Sequence, residues 1–333
     1  MSKKFQLKNG LKVLFLESHK SPVVSVQMWV KTGSADEKKT EEGISHFIEH
    51  LVFKGTRKYK VGEIASLVEA SGGELNAYTS FDQTVFYVTI SKQFADVGLD
   101  VISEMMGFPT FDAEEINNER EVVIEEIKRG QDSLSRAGSQ MMFSSVFKGH
   151  PYAVPVIGYE KNVRKFSAKK IADFFHSRYV PRNMFLVISG DFESVQMKQK
   201  VQKYFGEFQD YKLRKSTRPK VKLPKKNQIK VEKSTFEQTV AYLAWPAPNV
   251  KHKDVPALEV LSLILGQGDS SRLMHSLRLE TPLTNSVGSY VFTPQDAGVL
   301  AISMGLNIEN LQESLDKIRE HIVEIIRTPP AAG

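Results

Sequence analysis

Residues 43–51, with the sequence GISHFIEHL, constrain the fold more than any other stretch of the chain. Their apolar members recur at the i, i+3, i+4 and i+7 spacing of an amphipathic helix, namely Ile44, Phe47, Ile48 and Leu51. We therefore predict a helix over residues 41–54. Because its apolar stripe must be buried, the helix requires a second layer of structure to pack against.

The opposite face of this helix carries His46, Glu49 and His50 in an H-x-x-E-H arrangement. His46 and His50 are one turn apart, with Cβ atoms roughly 5–6 Å from each other, so both imidazoles can bind one metal ion at about 2.0–2.1 Å. Glu49 is displaced around the helix, which suits a carboxylate that accepts a proton from water. The alternative is a polar helix face that carries two histidines without any chemistry.

A tetrahedral catalytic zinc site needs three protein ligands, and a second predicted helix, over residues 112–131, offers carboxylates for this role. Glu119 and Glu126 are two turns apart and border its apolar stripe. An ionised carboxylate that is partly buried there needs a positive partner. Two interpretations remain open: the partner is a metal ion, or it is a side chain such as Arg120 or Lys128.

Five blocks of the sequence carry a resemblance to a known family: residues 43–56 (GISHFIEHLVFKGT), 72–79 (GGELNAYT), 119–127 (EREVVIEEI), 150–158 (HPYAVPVIG) and 179–183 (YVPRN). In this order, they resemble the M16 (pitrilysin-like, inverzincin) metallopeptidase family. The likeness is specifically to the single-length branch related to mitochondrial processing peptidase and bacterial zinc peptidases.

The resemblance implies one Zn²⁺ per chain, held by His46, His50 and Glu126, with Glu119 as a supporting carboxylate. It also implies a zinc-dependent endopeptidase that hydrolyses extended or unfolded peptides, in which Glu49 takes a proton from the attacking water. The alternative function is a non-catalytic or partner-dependent M16 subunit that binds peptides within a heterodimer. Because non-catalytic members typically lose the zinc ligands, the retained ligands favour the enzyme.

Peptide binding is expected along a strand predicted over residues 74–78. In the resembling family, the Asn-Ala pair of this block contacts the substrate, which corresponds to Asn76 and Ala77 here. An extended peptide would add to the sheet edge through backbone hydrogen bonds. The same residues are also explained by a glycine turn that leads into a strand.

The second half of the chain departs from the family at one position. Family members carry an arginine and, seven residues later, a tyrosine that contact substrate; Arg278 matches the arginine, but Asn285 replaces the tyrosine. Loss of one such donor typically lowers the rate by about 10²–10³. We therefore expect a homo- or heterodimer with another M16 chain, in which a partner can supply an intact pair. Alternatively, Arg278 is a surface residue paired with Glu280.

The composition of the chain excludes several classes of protein and of metal site. The 333 residues contain no cysteine, which excludes disulfides and thiolate zinc sites. No apolar leader or membrane-spanning run is visible, so we predict a cytoplasmic protein without a membrane partner, a removed targeting peptide being the alternative. The net charge of +6 comes with a basic cluster between Lys212 and Lys230. Since no aromatic residues are interleaved with prolines and lysines there, we expect a solvated linker and no nucleic-acid binding.

The pattern of elements predicts an α+β fold with two related α/β-sandwich domains. We predict a catalytic zinc-binding domain over residues 1–210, the basic linker over 211–230 and a second M16-type domain over 231–333. The strand predicted over residues 238–245 repeats that over 23–29, each being followed by a loop and a helix. Compared with the family, the second domain ends early, after residues 327–333, and is predicted to be incomplete.

Overall fold

The computed structural model describes residues 2–224 and 226–328. The chain forms two compact units: Met1–Lys128 with Val154–Arg218, and Arg129–Ala153 with Pro219–Gly333. Lys225 of the basic cluster and the chain end at residues 329–333, on which the prediction of a shortened second domain rests, lie outside the described residues.

The secondary structure alternates short strands with helices along the whole described chain. The strands are β1 (Ser2–Gln6), β2 (Lys12–Glu17), β3 (Val23–Val30), β4 (Glu74–Thr79), β5 (Thr84–Ser91), β6 (Met184–Gly190), β7 (Thr239–Ala247), β8 (Thr284–Phe292) and β9 (Gly298–Leu306). The helices are α1 (Ile44–Leu51), α2 (Glu63–Ala70), α3 (Ala95–Gly107), α4 (Ala113–Gln131), α5 (Leu134–Val146), α6 (Glu160–Val163), α7 (Ala168–Arg178), α8 (Ser194–Phe205), α9 (Val255–Gly266), α10 (Arg272–Met274) and α11 (Leu311–Arg327).

The first unit is built on a six-stranded sheet in the order β1-β2-β6-β3-β5-β4. The β2–β6 pair is parallel and its neighbours are antiparallel. Alternate residues of β3 are buried, which is the period-2 pattern of a strand with one face in the core. β4 pairs only with β5 and so forms one edge of the sheet.

The second unit repeats part of the first. The chain order β3-α1-α2-β4-β5-α3 recurs as β7-α9-α10-β8-β9-α11, and the strand order β3-β5-β4 recurs as β7-β9-β8. The predicted α+β fold of two related domains is therefore confirmed. The sequence alignment showed this repeat only weakly because the two halves share the order of their elements and the arrangement of their strands rather than residue identity.

The region around α5 belongs to the second unit, although the sequence suggested that the first domain extends to residue 210. Helix α5 packs against β7, where Gly138 approaches the ring of Tyr242 so closely that a Cβ would lie 2.7 Å from it. The Tyr242 hydroxyl also donates a hydrogen bond to the Ser135 carbonyl at 3.0 Å. These contacts join segments that are about a hundred residues apart in the sequence. Local sequence patterns do not reveal contacts of this kind.

The basic segment after α8 contains no helix or strand between residues 206 and 238 in its described part. Its expected solvation is nevertheless wrong for two arginines. Arg214 binds both carboxylate oxygens of Glu41, at 2.9 and 2.6 Å. Arg218, with 13% of its side chain exposed, contacts Asp36 at 3.0 Å and also Asp82. The buried carboxylates require these counter-charges, and they come from distant parts of the sequence.

The start of α1 is positioned by two glycines in close backbone contact. Gly43 and Gly158 have φ values of +97° and +75°, a region that favours glycine. A Cβ on Gly158 would lie 2.3 Å from the Glu42 carbonyl oxygen and 2.5 Å from the Gly43 Cα. The residue 150–158 block therefore contributes to the placement of α1 through its final glycine.

We predict that Gly158→Ala lowers the free energy of unfolding by about 3 kcal/mol, because it combines unfavourable φ with a clash against backbone. The matched control is Gly72→Ala, where φ is +65° and no atom lies within 4 Å of the added Cβ. This control should lose only about 1–2 kcal/mol. Thermal unfolding of both variants measures the difference, and equal losses would contradict a steric role for Gly158.

Candidate metal centre

Helix α1 buries its apolar stripe as its periodicity predicts. Ile44, Phe47, Ile48 and Leu51 have exposures of 0–2%. The helix begins where the Glu37 carboxylate accepts hydrogen bonds from the backbone N–H groups of Gly43 and Ser45, each at 2.7 Å. Burial raises the pKa of Glu37 to about 8, while the two backbone hydrogen bonds oppose this shift. The imidazoles are therefore carried on a helix that is fixed both at its start and along one face.

Helix α4 brings the second set of candidate side chains. Asp112 begins it by accepting a hydrogen bond from the backbone N–H of Glu114 at 2.8 Å. Ile116, Val123 and Ile124 anchor the helix in the core, each with no more than 2% exposure. Glu119 is buried and Glu126 is half-buried, on the side of α4 that faces α1.

The two histidines of α1 and Glu126 of α4 converge on one point. His46 Nε2 and His50 Nε2 lie 3.8 and 3.6 Å from the same oxygen of Glu126, Oε2. In tetrahedral zinc sites with bonds of about 2.0–2.1 Å, neighbouring ligand atoms are about 3.3–3.4 Å apart. Two imidazole nitrogens and one carboxylate oxygen are also a donor set that zinc prefers. All three ligand atoms lie within 4.8 Å of one another, so the arrangement fits a zinc ion once they draw closer together.

Each oxygen of the Glu119 carboxylate contacts a different side chain. Oε1 lies 2.7 Å from His50 Nδ1, and Oε2 lies 2.8 Å from Lys54 Nζ. A side chain therefore does neutralise Glu119, but it is not one of the two considered from the sequence, since Arg120 donates to the Val163 and Phe166 carbonyls. Lys128 instead pairs with Glu125 at 2.7 Å.

The electrostatic environments of the two histidines differ. Burial, together with the charge of His50, lowers the pKa of His46 to about 3, so its imidazole is neutral at physiological pH. For His50, burial disfavours the charged form, but the hydrogen bond and charge of Glu119 outweigh it and raise its pKa. In Glu119, burial opposes ionisation, yet the hydrogen bonds from His50 and Lys54 lower its pKa overall. Glu119 therefore carries the negative charge in this contact.

Glu49 lies beside the converging side chains and contacts β4. The Thr79 hydroxyl donates a hydrogen bond to Glu49 Oε2 at 2.5 Å. Burial raises the pKa of Glu49, while the Thr79 hydrogen bond and the His50 charge oppose this shift. A carboxyl group with a raised pKa is suited to exchange protons near neutral pH.

The predicted substrate residues are divided between the units. Asn76 and Ala77 lie on edge strand β4, where the Asn76 side-chain oxygen accepts the backbone N–H of Ala77 at 2.8 Å. Arg278 lies exposed in a π-helical turn over His275–Glu280 and contacts the Met274 sulfur at 3.9 Å. We considered an ion pair between Arg278 and Glu280, but in the structure Glu280 instead lies 3.3 Å from His275.

Sequence reasoning gave no role to Lys54 or Thr79, although both stand inside the quoted blocks. Lys54 follows His50 by four residues, which in the helix predicted over residues 41–54 puts it on the same side as His50, so this signal was available; in the structure it lies in the turn after α1. Thr79 ends a strand, and no local pattern connects it with Glu49. His150, which opens the residue 150–158 block, is buried, and its Nδ1 accepts the Tyr152 backbone N–H at 3.2 Å.

Comparisons with known proteins identify the family of the chain. The family model "Insulinase (Peptidase family M16)" matches residues 12–160, and the model "Peptidase M16 inactive domain" matches residues 165–332. The uncharacterized zinc protease YmxG of Bacillus subtilis (strain 168) is 30% identical over 98% of this chain and 79% of that protein. The zinc protease PqqE of Helicobacter pylori is 32% identical over 93% of this chain and 71% of that protein.

Solved structures show the same fold. A protease from Helicobacter pylori has a TM-score of 0.92 and 29% identity, and the match covers 99% of this chain and 81% of that one. Pitrilysin, at 18% identity and a TM-score of 0.76, matches 99% of this chain with 37% of its own length and shares the fold.

The H-x-x-E-H helix and the carboxylate facing it are typical of the inverzincin class of metallopeptidases. Within that class, the chain belongs to the M16 peptidase family. Among the helices of the described residues, none has the length and apolar content needed to cross a bilayer.

We predict that, in zinc-free protein, the His46 imidazole stays neutral down to about pH 4, because its pKa is lowered to about 3 by burial and by His50. His19 serves as the contrast, since its hydrogen bond to Asp191 raises its pKa above the ordinary value despite some burial. Nuclear magnetic resonance of selectively ¹³C-labelled histidines during a pH titration measures both. Titration of His46 near pH 6.5 would contradict the burial described here.

Proposed function

We propose that the protein is a zinc-dependent endopeptidase that binds one Zn²⁺ per chain through His46, His50 and Glu126. The observation that carries this proposal is the convergence of both Nε2 atoms on Glu126 Oε2, at 3.6 and 3.8 Å. The family relationship and the names of the relatives, which are zinc proteases, support it. Glu119 supports the site by orienting His50 through the 2.7 Å contact with its Nδ1.

In the proposed mechanism, Glu49 is the general base. When bound, zinc supplies a Lewis acid that polarises the scissile carbonyl and favours deprotonation of water. Glu49 accepts the proton from the attacking water and then donates it to the leaving amine. Thr79 holds the Glu49 carboxylate in one orientation through its hydrogen bond at 2.5 Å.

We further propose that an extended peptide adds to the open edge of β4. This edge has no strand partner within the described sheet, and Asn76 and Ala77 lie on it. The peptide backbone would displace the Asn76 oxygen from the Ala77 N–H and take its place. Such recognition uses mainly backbone atoms, so it suits extended or unfolded substrates of varied sequence.

The position of Asn285 supports a partner-dependent form of the same activity. Asn285 lies exposed at an irregularity of the β8–β9 pairing, between Thr284 and Ser286, where the resemblance led us to expect a tyrosine. We propose that Arg278 and this position serve substrate binding within a cytoplasmic homo- or heterodimer of M16 chains. A partner with an intact pair would then increase the activity of this chain.

We predict that the purified protein binds about one zinc ion and cleaves an internally quenched extended peptide. Glu49→Gln should keep the zinc but lower kcat by at least about 10³, because it removes the base and leaves the ligands. Glu126→Gln should lose both zinc and activity. Metal analysis and peptide cleavage, each with and without candidate partner chains, measure these effects. Zinc-loaded protein that cleaves no peptide under any of these conditions would support a peptide-binding subunit instead.

We predict that Thr79→Val shifts the acidic limb of the pH profile of kcat/KM upward by about one unit. The Thr79 hydrogen bond stabilises the ionised form of Glu49 and lowers its pKa, so removing it raises that pKa. Because the base acts only when deprotonated, the enzyme then needs a higher pH. Thr89→Val, which loses a hydroxyl contact on β5 to Ser25, is the control and should leave the limb unchanged.

A further inference from the structure

Lys54 stands one helical turn beyond His50, at the end of the turn that closes α1. Its backbone N–H donates to the Leu51 carbonyl at 2.9 Å, which fixes the position of the residue relative to the helix. Its side chain is 32% exposed, and the ammonium group reaches Glu119 Oε2 at 2.8 Å. Lys54 therefore connects the end of α1 to the carboxylate on α4.

The Glu119 carboxylate has both oxygens engaged, and its side chain is only 7% exposed. Oε1 contacts His50 Nδ1 at 2.7 Å, and Oε2 contacts Lys54 at 2.8 Å. A carboxylate with one engaged oxygen can rotate about its terminal bond, whereas two opposed contacts define its plane. Removing Lys54 would leave a buried oxygen without its charged partner, which is unfavourable.

Of the two histidines in the candidate centre, His50 alone has such support among the described residues. His46 Nδ1 is buried and has no hydrogen-bond partner in the described part of the chain. The orientation of the imidazole pair relative to Glu126 therefore depends on the Glu119 contact at His50. Any group that fixes Glu119 also fixes the direction of His50 Nε2.

We propose that Lys54 is a positioning residue for the metal centre: by holding Glu119 Oε2, it orients the carboxylate that orients His50. This inference rests on the proposed zinc site and extends it by one layer, to a Lys54–Glu119–His50 chain of contacts. The inference also predicts the direction of the effect of Lys54 on zinc affinity. By charge repulsion alone, Lys54 would weaken zinc binding, so any strengthening by Lys54 must act through Glu119.

The test is the zinc dissociation constant of the whole chain, measured by competition with a chromogenic chelator and without any activity assay. Lys54→Met should weaken zinc binding by about tenfold, in the range that such outer contacts contribute. Lys54→Arg, which retains the charge and a donor, should bind zinc within about threefold of the unmodified protein. Lys58→Met is the matched control, since it also loses a lysine–carboxylate pair, with Asp100, but leaves Glu119 unchanged.

A double-mutant cycle distinguishes positioning through Glu119 from general destabilisation. In the Glu119→Gln background, Lys54→Met should cause no further loss of zinc affinity. The inference is overturned if Lys54→Met leaves zinc affinity unchanged or increases it, if Lys58→Met weakens it equally, or if the loss persists in the Glu119→Gln background.

Failure of the proposed function would be seen separately, in the unmodified protein. If that protein does not bind zinc, or if Glu126→Gln binds it as tightly, the zinc site itself is wrong and this inference falls with it. If the unmodified protein binds zinc but the Lys54 variants do not show the expected zinc affinities, the proposed site stands and only the positioning role is rejected.

Discussion

The buried negative charge of Glu119 is the constraint on which the candidate centre depends. With 7% of its side chain exposed, Glu119 can remain ionised only beside positive or donating groups, which are supplied by His50 on α1 and by Lys54 in the turn after it. This requirement sets the distance and rotation of α4 relative to α1. Glu126, two turns further along α4, is thereby brought to both imidazoles. The remaining supports of α1, its buried apolar stripe and its Glu37-capped start, hold the helix while Glu119 orients it.

Much of the candidate centre could be predicted because the helices that carry its residues are defined by patterns within short stretches of sequence. The helix carrying His46, Glu49 and His50 follows from apolar spacing within eight residues, and the second helix follows from a similar stripe and a capping residue. The α+β fold of two related domains also followed, because strand and helix periods differ clearly along the chain. The resemblance added what spacing alone left open, namely that Glu126 rather than another carboxylate faces the two histidines.

What could not be predicted depends on contacts between distant segments. Thr79 reaches Glu49 across 30 residues, and Arg218 reaches Asp36 across 182. The spacing of residues along the chain does not indicate contacts between such distant residues. For this reason, two arginines of the basic segment were expected in solvent, whereas in the structure they neutralise buried carboxylates. Strand β1 was also missed, because its sequence SKKFQ has little apolar content and the strand is defined mainly by pairing with β2. The membership of helix α5 in the second unit was not visible from the sequence for a related reason, since its partner β7 lies far along the chain.

The hydrogen bond between the Asn76 side chain and the Ala77 N–H has a consequence for self-association. An open sheet edge attracts other exposed strands, including the same edge of a second molecule, and proteins commonly protect such edges. Here a side-chain amide occupies one backbone donor at 2.8 Å, and Glu74 adds a negative charge to the same strand. Any incoming strand, including the β4 of a second copy, would first have to release that amide from the Ala77 N–H. The Asn76 side chain thus protects the edge against casual strand pairing, and only a backbone long enough to form several hydrogen bonds would compensate for its release.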